Sequence, residues 1–365
     1  MIRADQFTSS ALPHFAGMLV VLTLVAGLSP QPYPTDQAMM ERVGQGVIVP
    51  GCADLNCFRI LVPAMLEALP GSSMLRWRGF AVVTDAGAAI ATGYLVLALG
   101  VSGSAATWAA WLAATSAGAF ATVHHPYNAD PLVLLLAPII MTLMVRSRWV
   151  LAAALGVVGI LAKEFAAAPI YISAASSALA RRWRESAWQF GLAIAVTGVW
   201  VTLQIALMTL FNYSYNDNPS SQPLSGGYLR LWVTHVTPLS GFAAIFGAFG
   251  AAYLLMPFGW RFAPVHLRRL AMGALPAVAA LVYVATPERA LGNFFFLWLP
   301  IAALVLARVP AAAAAAFVAA FAVANMRIGG QMTAVPNSRY ALALSIGIAI
   351  YAIWETRRQP APLPS

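Results

Sequence analysis

The sequence predicts an all-α, polytopic helical membrane protein of about 12 transmembrane helices (10–12), with both termini cytoplasmic. Three observations lead there. Of 365 residues, 61% are hydrophobic and only 9% charged, against roughly 25% charged in an ordinary soluble domain. Apolar runs succeed one another with short polar breaks, the pattern of consecutive bilayer spans. The charges are also sorted, with twelve of the 21 basic residues standing at alternate segment ends beside only three acids. Residues 1–365 are therefore expected to form a single integral membrane domain held in the lipid bilayer.

A helix crossing a hydrocarbon core of roughly 30 Å needs about 20 residues. The candidate segments are 12–28, 78–100, 104–123, 131–145, 149–163, 165–180, 187–211, 238–257, 268–286, 293–307, 310–325 and 340–355. The first, with Arg3 ahead of its apolar core, also fits a signal peptide. Its long polar n-region and poor cleavage site favour an uncleaved anchor. The pair 149–163 and 165–180 is separated only by Lys163-Glu164, so one span plus a re-entrant segment is the alternative. A continuous 149–180 helix would run about 48 Å at 1.5 Å per residue. The alanine run Ala311–Ala316 reads as a tightly packed helix, and no inverted repeat stands out.

The charge sorting tests that layout. The expected cytoplasmic ends hold Arg3, Arg146, Arg148, Arg181, Arg182, Arg184, Arg261, Arg268, Arg269, Arg308, Arg357 and Arg358, with Asp5, Glu185 and Glu355. They carry the whole net charge of +9, because nine basic and nine acidic residues cancel on the other side. Reading 149–180 as one span would move every later arginine cluster to the wrong face. Trp77, Trp149, Trp183, Trp188, Trp232, Trp260 and Trp354 fall near segment ends, where interfacial rings belong. No aromatic-interleaved basic patch accompanies the charge, which excludes nucleic acid as a partner.

Two external loops stand out by length. The first, 29–77, opens with Pro30, Pro32 and Pro34 and carries a short amphipathic helix near 57–69. The second, 212–237, begins Asn212-Tyr-Ser-Tyr-Asn-Asp-Asn-Pro and is rich in turn formers. Cys52 and Cys57, five apart on the oxidising side, are expected to form a structural disulfide that braces Asp54 and positions Arg59.

Within this frame, Pro34-Thr35-Asp36-Gln37-Ala38 followed by Phe58-Arg59-Ile60-Leu61-Val62-Pro63 resembles the first external loop of GT-C glycosyltransferases. Asn128-Ala129-Asp130-Pro131 opening a span, and Gly159-Ile160-Leu161-Ala162-Lys163-Glu164 ending one, are similar to bacterial membrane proteins of that superfamily. The resemblance covers about the first 210 residues of the 365. It implies a GT-C-like fold in a bacterial inner membrane and an inverting transferase with its site on the periplasmic face. The implied donor is a polyprenyl-phosphate-linked sugar, and Asp36 is the position matching the family's catalytic base. This chain departs from the pattern in lacking an adjacent acidic pair there and a large soluble C-terminal domain.

The chemistry can be argued from the residues as well. Transfer to a hydroxyl needs a carboxylate within hydrogen-bond reach, which Asp36 or Asp54 could supply. A departing phosphate needs cationic donors, and Arg59, Lys163 and Arg289 all fall at the external boundary. His124 and His125 suit hydrogen bonding to sugar or phosphate. Adjacent helical positions point about 100° apart and chelate poorly, so no cofactor is expected and a divalent metal is the lesser reading.

Each residue has a plainer alternative. Asp36 could cap a helix, Arg59 could snorkel to the interface, and Lys163 and Glu164 could neutralise each other. Arg289 could be a solvated loop residue and His235 a merely interfacial one. Asp85, about eight residues inside its span, requires a partner such as Lys163 or a wet cavity. The rival function is a transporter or flippase for a lipid-linked or small polar substrate, which would place polar groups at the midplane. Gly-x-Ser-x-Gly and His-Glu-x-x-His are absent, which argues against acyl transfer and proteolysis. A relative that only binds lipid is the remaining alternative.

Overall fold

A computed structural model describes residues 4–29, 34–214, 237–281, 287–326 and 338–358. Arg3, Asp217, Arg230, Trp232, His235, Arg327 and most of the 212–237 loop lie outside the described residues. Each apolar segment anticipated from the sequence is largely helical where it is described, and no strand occurs among the described residues.

The chain enters through α1 (Ala4–Leu28), and the first long loop then folds over the bundle end. That loop is more structured than its composition suggests. It contains α2 (Pro34–Gly44), a 3-10 turn at Leu55–Phe58 and α3 (Leu61–Glu67), so the helix expected near 57–69 is split in two. Gly44 lets α2 approach α3, because a Cβ there would stand 2.8 Å from the Pro63 carbonyl oxygen.

Next come α4 (Ser73–Ala98), α5 (Gly103–Ala114) and α6 (Ala117–His124). The segment expected as one span over 104–123 is thus broken. Ser116 stops and restarts it, its Oγ accepting from the Ala119 N–H at 3.2 Å as an N-cap. Then follow α7 (Asp130–Val145), α8 (Trp149–Ile160), α9 (Ala168–Leu179) and α10 (Trp183–Phe211). A Cβ on Gly156 of α8 would come within 3.2 Å of Ile170 on α9, so the chain folds back here rather than running on end to end. The 149–180 stretch therefore doubles back at Lys163.

The second half holds α11 (Pro238–Phe249), α12 (Ala252–Gly259), α13 (Val265–Leu281), α14 (Pro287–Gly292), α15 (Phe295–Leu306), α16 (Ala311–Asn325) and α17 (Ser338–Arg358). The 238–257 segment bends by 97° between α11 and α12, where Gly250 takes a φ of +52°. Within Ala311–Ala316 only Ala314 is buried, and Phe317 and Phe321 supply the packing instead.

Among the described residues three helices, α1, α4 and α10, are long and apolar enough to cross a membrane unaided. Others of 12 residues reach only about 18 Å and rely on flanking turns to traverse the bilayer. The exterior is frankly apolar. Val20, Leu24, Val150, Ile194, Ile205, Leu210 and Ile350 are exposed, as expected for side chains facing lipid.

The two tightest reversals, α7 to α8 and α9 to α10, share one design. Ser147 and Arg181 adopt left-handed φ values of 57° and 58°, and the Arg148 and Arg182 N–H groups donate back to the Leu143 and Ser177 carbonyls at 2.8 and 2.9 Å. Arg146 and Arg181 thereby sit at helix C-termini, where cations are favoured. The arginines of the second half gather similarly: Arg261 and Arg308 both stack on Phe262, Arg357 on Phe258 and Arg358 on Trp354.

Candidate functional site

Opposite the arginine-rich end, the first loop closes over a small apolar floor. Met40 of α2, Val62 and Leu66 of α3, Trp77 of α4, Tyr127, Ala129 and Ala162 pack together there. Ala129 precedes Asp130 and Ala162 precedes Lys163, so this floor places both charges under the loop. Tyr127 is fixed by Ser73, its hydroxyl 3.1 Å from the serine Oγ, and by Trp77, the ring centroids 5.3 Å apart.

Asp130 is the hub. Its backbone N–H donates to Asn128 Oδ1 at 2.8 Å, while the Asn128 amide donates to the His125 carbonyl, so one side chain pins the whole turn ahead of α7. The carboxylate is 8% exposed and holds two cations from distant parts of the chain. Lys163, at the α8 break, donates to Oδ1, and Arg289 of α14 donates to Oδ2 at 2.9 Å. The Arg289 side chain remains 44% exposed. The Asp130 charge raises the Arg289 pKa above its ordinary value, outweighing the opposite effect of burial.

Arg59 reaches the same region from the loop. Its Nη1 donates to Asn56 Oδ1 at 3.2 Å, and its Nη2 stands 3.8 Å from Glu164 Oε1. Lys163 and Glu164 therefore do not neutralise each other; each pairs with a different partner. The Leu61 N–H donates to the Leu161 carbonyl at 3.3 Å, tying the loop to the α8 break. The Cys52–Cys57 disulfide is formed, and Asp54 caps the enclosed turn by accepting from the Asn56 N–H at 2.8 Å. The loop's far side is fastened to the end of α10, with Gly51 N–H on the Phe211 carbonyl at 3.1 Å and Ser214 N–H on the Cys52 carbonyl at 2.9 Å.

Asp36, half-buried in the first turn of α2, lies within electrostatic reach of this cluster. Burial pushes its carboxyl above the ordinary value and Asp54 pushes the same way, while Arg289 and Arg59 pull it back. The structure thus groups Asp36, Asp54, Arg59, Lys163 and Arg289 at one end. His124 and His125 close α6 with their rings 4.5 Å apart and nearly perpendicular. Among the described residues no group of three or more His, Cys, Asp or Glu is arranged to hold a metal.

One expectation needs correction, and one residue gains a part. Asp85 does not pair with Lys163, because Asp130 takes that lysine; Asp85 is instead bonded to Thr122 Oγ1 at 2.5 Å. Asp130, named from the sequence only within the Asn128-Ala129-Asp130-Pro131 opening of a span, is the residue that joins the cations. Its signal was present in Asn128-Ala129-Asp130-Pro131, an Asx turn leading into a proline-started helix.

No protein-family model and no curated protein sequence matches this chain. Among solved structures, the crystal structure of ArnT from Cupriavidus metallidurans bound to undecaprenyl phosphate matches with a TM-score of 0.58 at 12% sequence identity. The match covers 97% of this chain and 77% of that one. The chain is a polytopic helical membrane protein that shares its overall fold with that structure.

Proposed function

We propose that this protein is a membrane glycosyltransferase that moves a sugar from a polyprenyl-phosphate donor to an acceptor hydroxyl. The reaction takes place at the bundle end opposite the arginines, the periplasmic face of a bacterial inner membrane, with both termini in the cytoplasm. The observation that carries the reading is the meeting of Lys163 and Arg289 on Asp130, with Arg59 and Asp36 in electrostatic reach. Support for the donor class comes from a fold shared with a protein crystallised with undecaprenyl phosphate.

The roles follow from the geometry. Asp36 is the base, since the Asp54 carboxylate is engaged in capping its own turn. The Asp36 carboxylate takes the proton of the acceptor hydroxyl as the hydroxyl oxygen bonds to the anomeric carbon. The bond from that carbon to the phosphate oxygen breaks, and its electron pair leaves with the polyprenyl phosphate. The charge gained on that oxygen meets Arg59, Lys163 and Arg289. Asp130 holds Lys163 and Arg289 in place, and His124 and His125 lie nearby as hydrogen-bonding groups for sugar or phosphate.

The test is turnover of polyprenyl-phosphate sugars by purified protein. Wild type is expected to release polyprenyl phosphate, and Asp36→Asn to lose on the order of 10²–10⁴ in rate. Equal turnover by the two proteins removes Asp36 as the base. Absence of turnover with every donor, together with uptake by reconstituted vesicles, replaces the enzyme with a transporter or flippase.

A further inference from the structure

At the arginine-rich end, remote from the Asp130 cluster, a cleft of about 60 Å³ opens between the α7–α8 turn, the end of α9 and the first turns of α10 and α13. Its lining collects hydrogen-bond donors that the protein does not satisfy. Gln189 is only 3% exposed; its Oε1 accepts from Ser173 and Ser177 at 3.3 and 3.0 Å, and its amide nitrogen has no partner among the described residues. The Trp149 Nε1–H is buried without an acceptor. Arg269 makes no ion pair or hydrogen bond among the described residues, and His266 stands one turn before it. The acid in the lining, Glu185, is held by Arg182 at 2.9 Å.

The backbone adds to this. Helices α8 and α10 begin at the cleft with no side-chain hydrogen bond at either N-cap, leaving first-turn N–H groups open. Buried donors without acceptors are costly, at about 1–3 kcal/mol each. Here they line one cleft together with Arg269 and Arg182, a setting that suits an anion.

A second feature says what the anion is attached to. A shallow groove of about 610 Å³, lined by Trp149, Arg184, Glu185, Ala187 and Trp188, shares Trp149 and Glu185 with the cleft. It leads onto the outer face of α10, where Phe190 and Ile194 are exposed to lipid. A free phosphate would use only the cleft, whereas an amphiphile would use both.

We propose that the cleft binds the phosphate headgroup of an anionic glycerophospholipid, with its acyl chains lying along Trp149, Trp188 and the outer face of α10. The site is separate from the glycosyl-transfer reading and stands whether or not that reading holds.

The experiment is native mass spectrometry of the delipidated full-length protein, titrated with phosphatidylglycerol, phosphatidylcholine or inorganic phosphate. Phosphatidylglycerol is expected to fill one site about tenfold more tightly than phosphatidylcholine. Arg269→Ala and Gln189→Met are each expected to weaken it by about tenfold, while Arg357→Ala, at the same end but outside the cleft, leaves it unchanged. Equal retention of the two lipids overturns the proposal. So does equal loss in Arg357→Ala, which would make the effect general surface charge. Displacement of phosphatidylglycerol by millimolar inorganic phosphate overturns the lipid assignment in favour of a free-phosphate site.

Discussion

Arg289 reaches Asp130 across 159 residues of sequence and donates to its Oδ2 at 2.9 Å, on a carboxylate whose other oxygen already holds Lys163. This contact joins a short helix of the second half to the turn that starts α7. It makes Asp130 the point on which the candidate site's cationic side depends.

Removing the Asp130 charge should therefore be costly. Asp130→Asn leaves Lys163 buried without a counter-charge, and breaking a buried pair costs about 3–5 kcal/mol. Because Arg289 is 44% exposed and screened by solvent, the lower end of that range, about 3 kcal/mol, is expected. Thermal unfolding in detergent should show the loss, and adding Lys163→Met should recover part of it. A drop unaffected by Lys163→Met would mean that the cost lies in the turn and not in the charge.

The acid limb of the pH profile should report Asp36. Its carboxyl is raised by burial and by Asp54, so kcat/KM should fall with falling pH sooner than for a carboxylate near about 3.9. Asp54→Asn removes the like charge and should move the limb to lower pH. Arg59→Ala removes an opposing charge and should move it higher. A group raised on folding stabilises the protein while protonated and loses that contribution as pH rises through the raised value. Asp36→Asn should accordingly unfold at a higher temperature than wild type at neutral pH while losing turnover.

Reduction of the disulfide, or Cys52→Ser with Cys57→Ser, should cost about 2 kcal/mol. The turn it closes positions Arg59 through Asn56, so KM for the lipid donor should rise more than kcat falls. An unchanged KM would separate Arg59 from phosphate binding.

Asp85 offers a control within the bundle. It is 2% exposed and bonds to Thr122, whose hydroxyl also lies 2.7 Å from the Ala119 carbonyl. Thr122→Val leaves the buried carboxyl without that bond and should destabilise by about 1–3 kcal/mol. Asp85→Asn keeps a polar group that Thr122 can bond and should cost less. Unfolding midpoints that rank the two variants the other way would assign Asp85 a charged role.

Much of the fold was legible because the bilayer imposes a simple rule on composition: long apolar runs become helices, and arginines mark their ends. The breaks were harder to see. Ser116 interrupts 104–123 by capping, and Gly250 turns 238–257 through a positive φ, both local backbone events inside uniformly apolar stretches. For the site, sequence position identified Arg59, Lys163 and Arg289 as boundary cations. It could not show that Asp130 would claim two of them, since that depends on α14 packing beside α6, where Gly118 meets Gly292. Likewise the donor-rich cleft is assembled from four separate turns, and nothing in any one of them announces an anion.

The first loop is stitched down on two sides, to α8 through Leu61 and Leu161 and to α10 through Gly51, Phe211, Cys52 and Ser214. Such a loop is a ceiling and not a trapdoor: swinging it away would sever three backbone hydrogen bonds at once. On the proposed glycosyl-transfer reading, a lipid-borne donor would then approach from the side, within the plane of the membrane. A lipid-borne substrate confined to that plane searches in two dimensions, so the protein's throughput should follow the surface density of its donor rather than the bulk concentration.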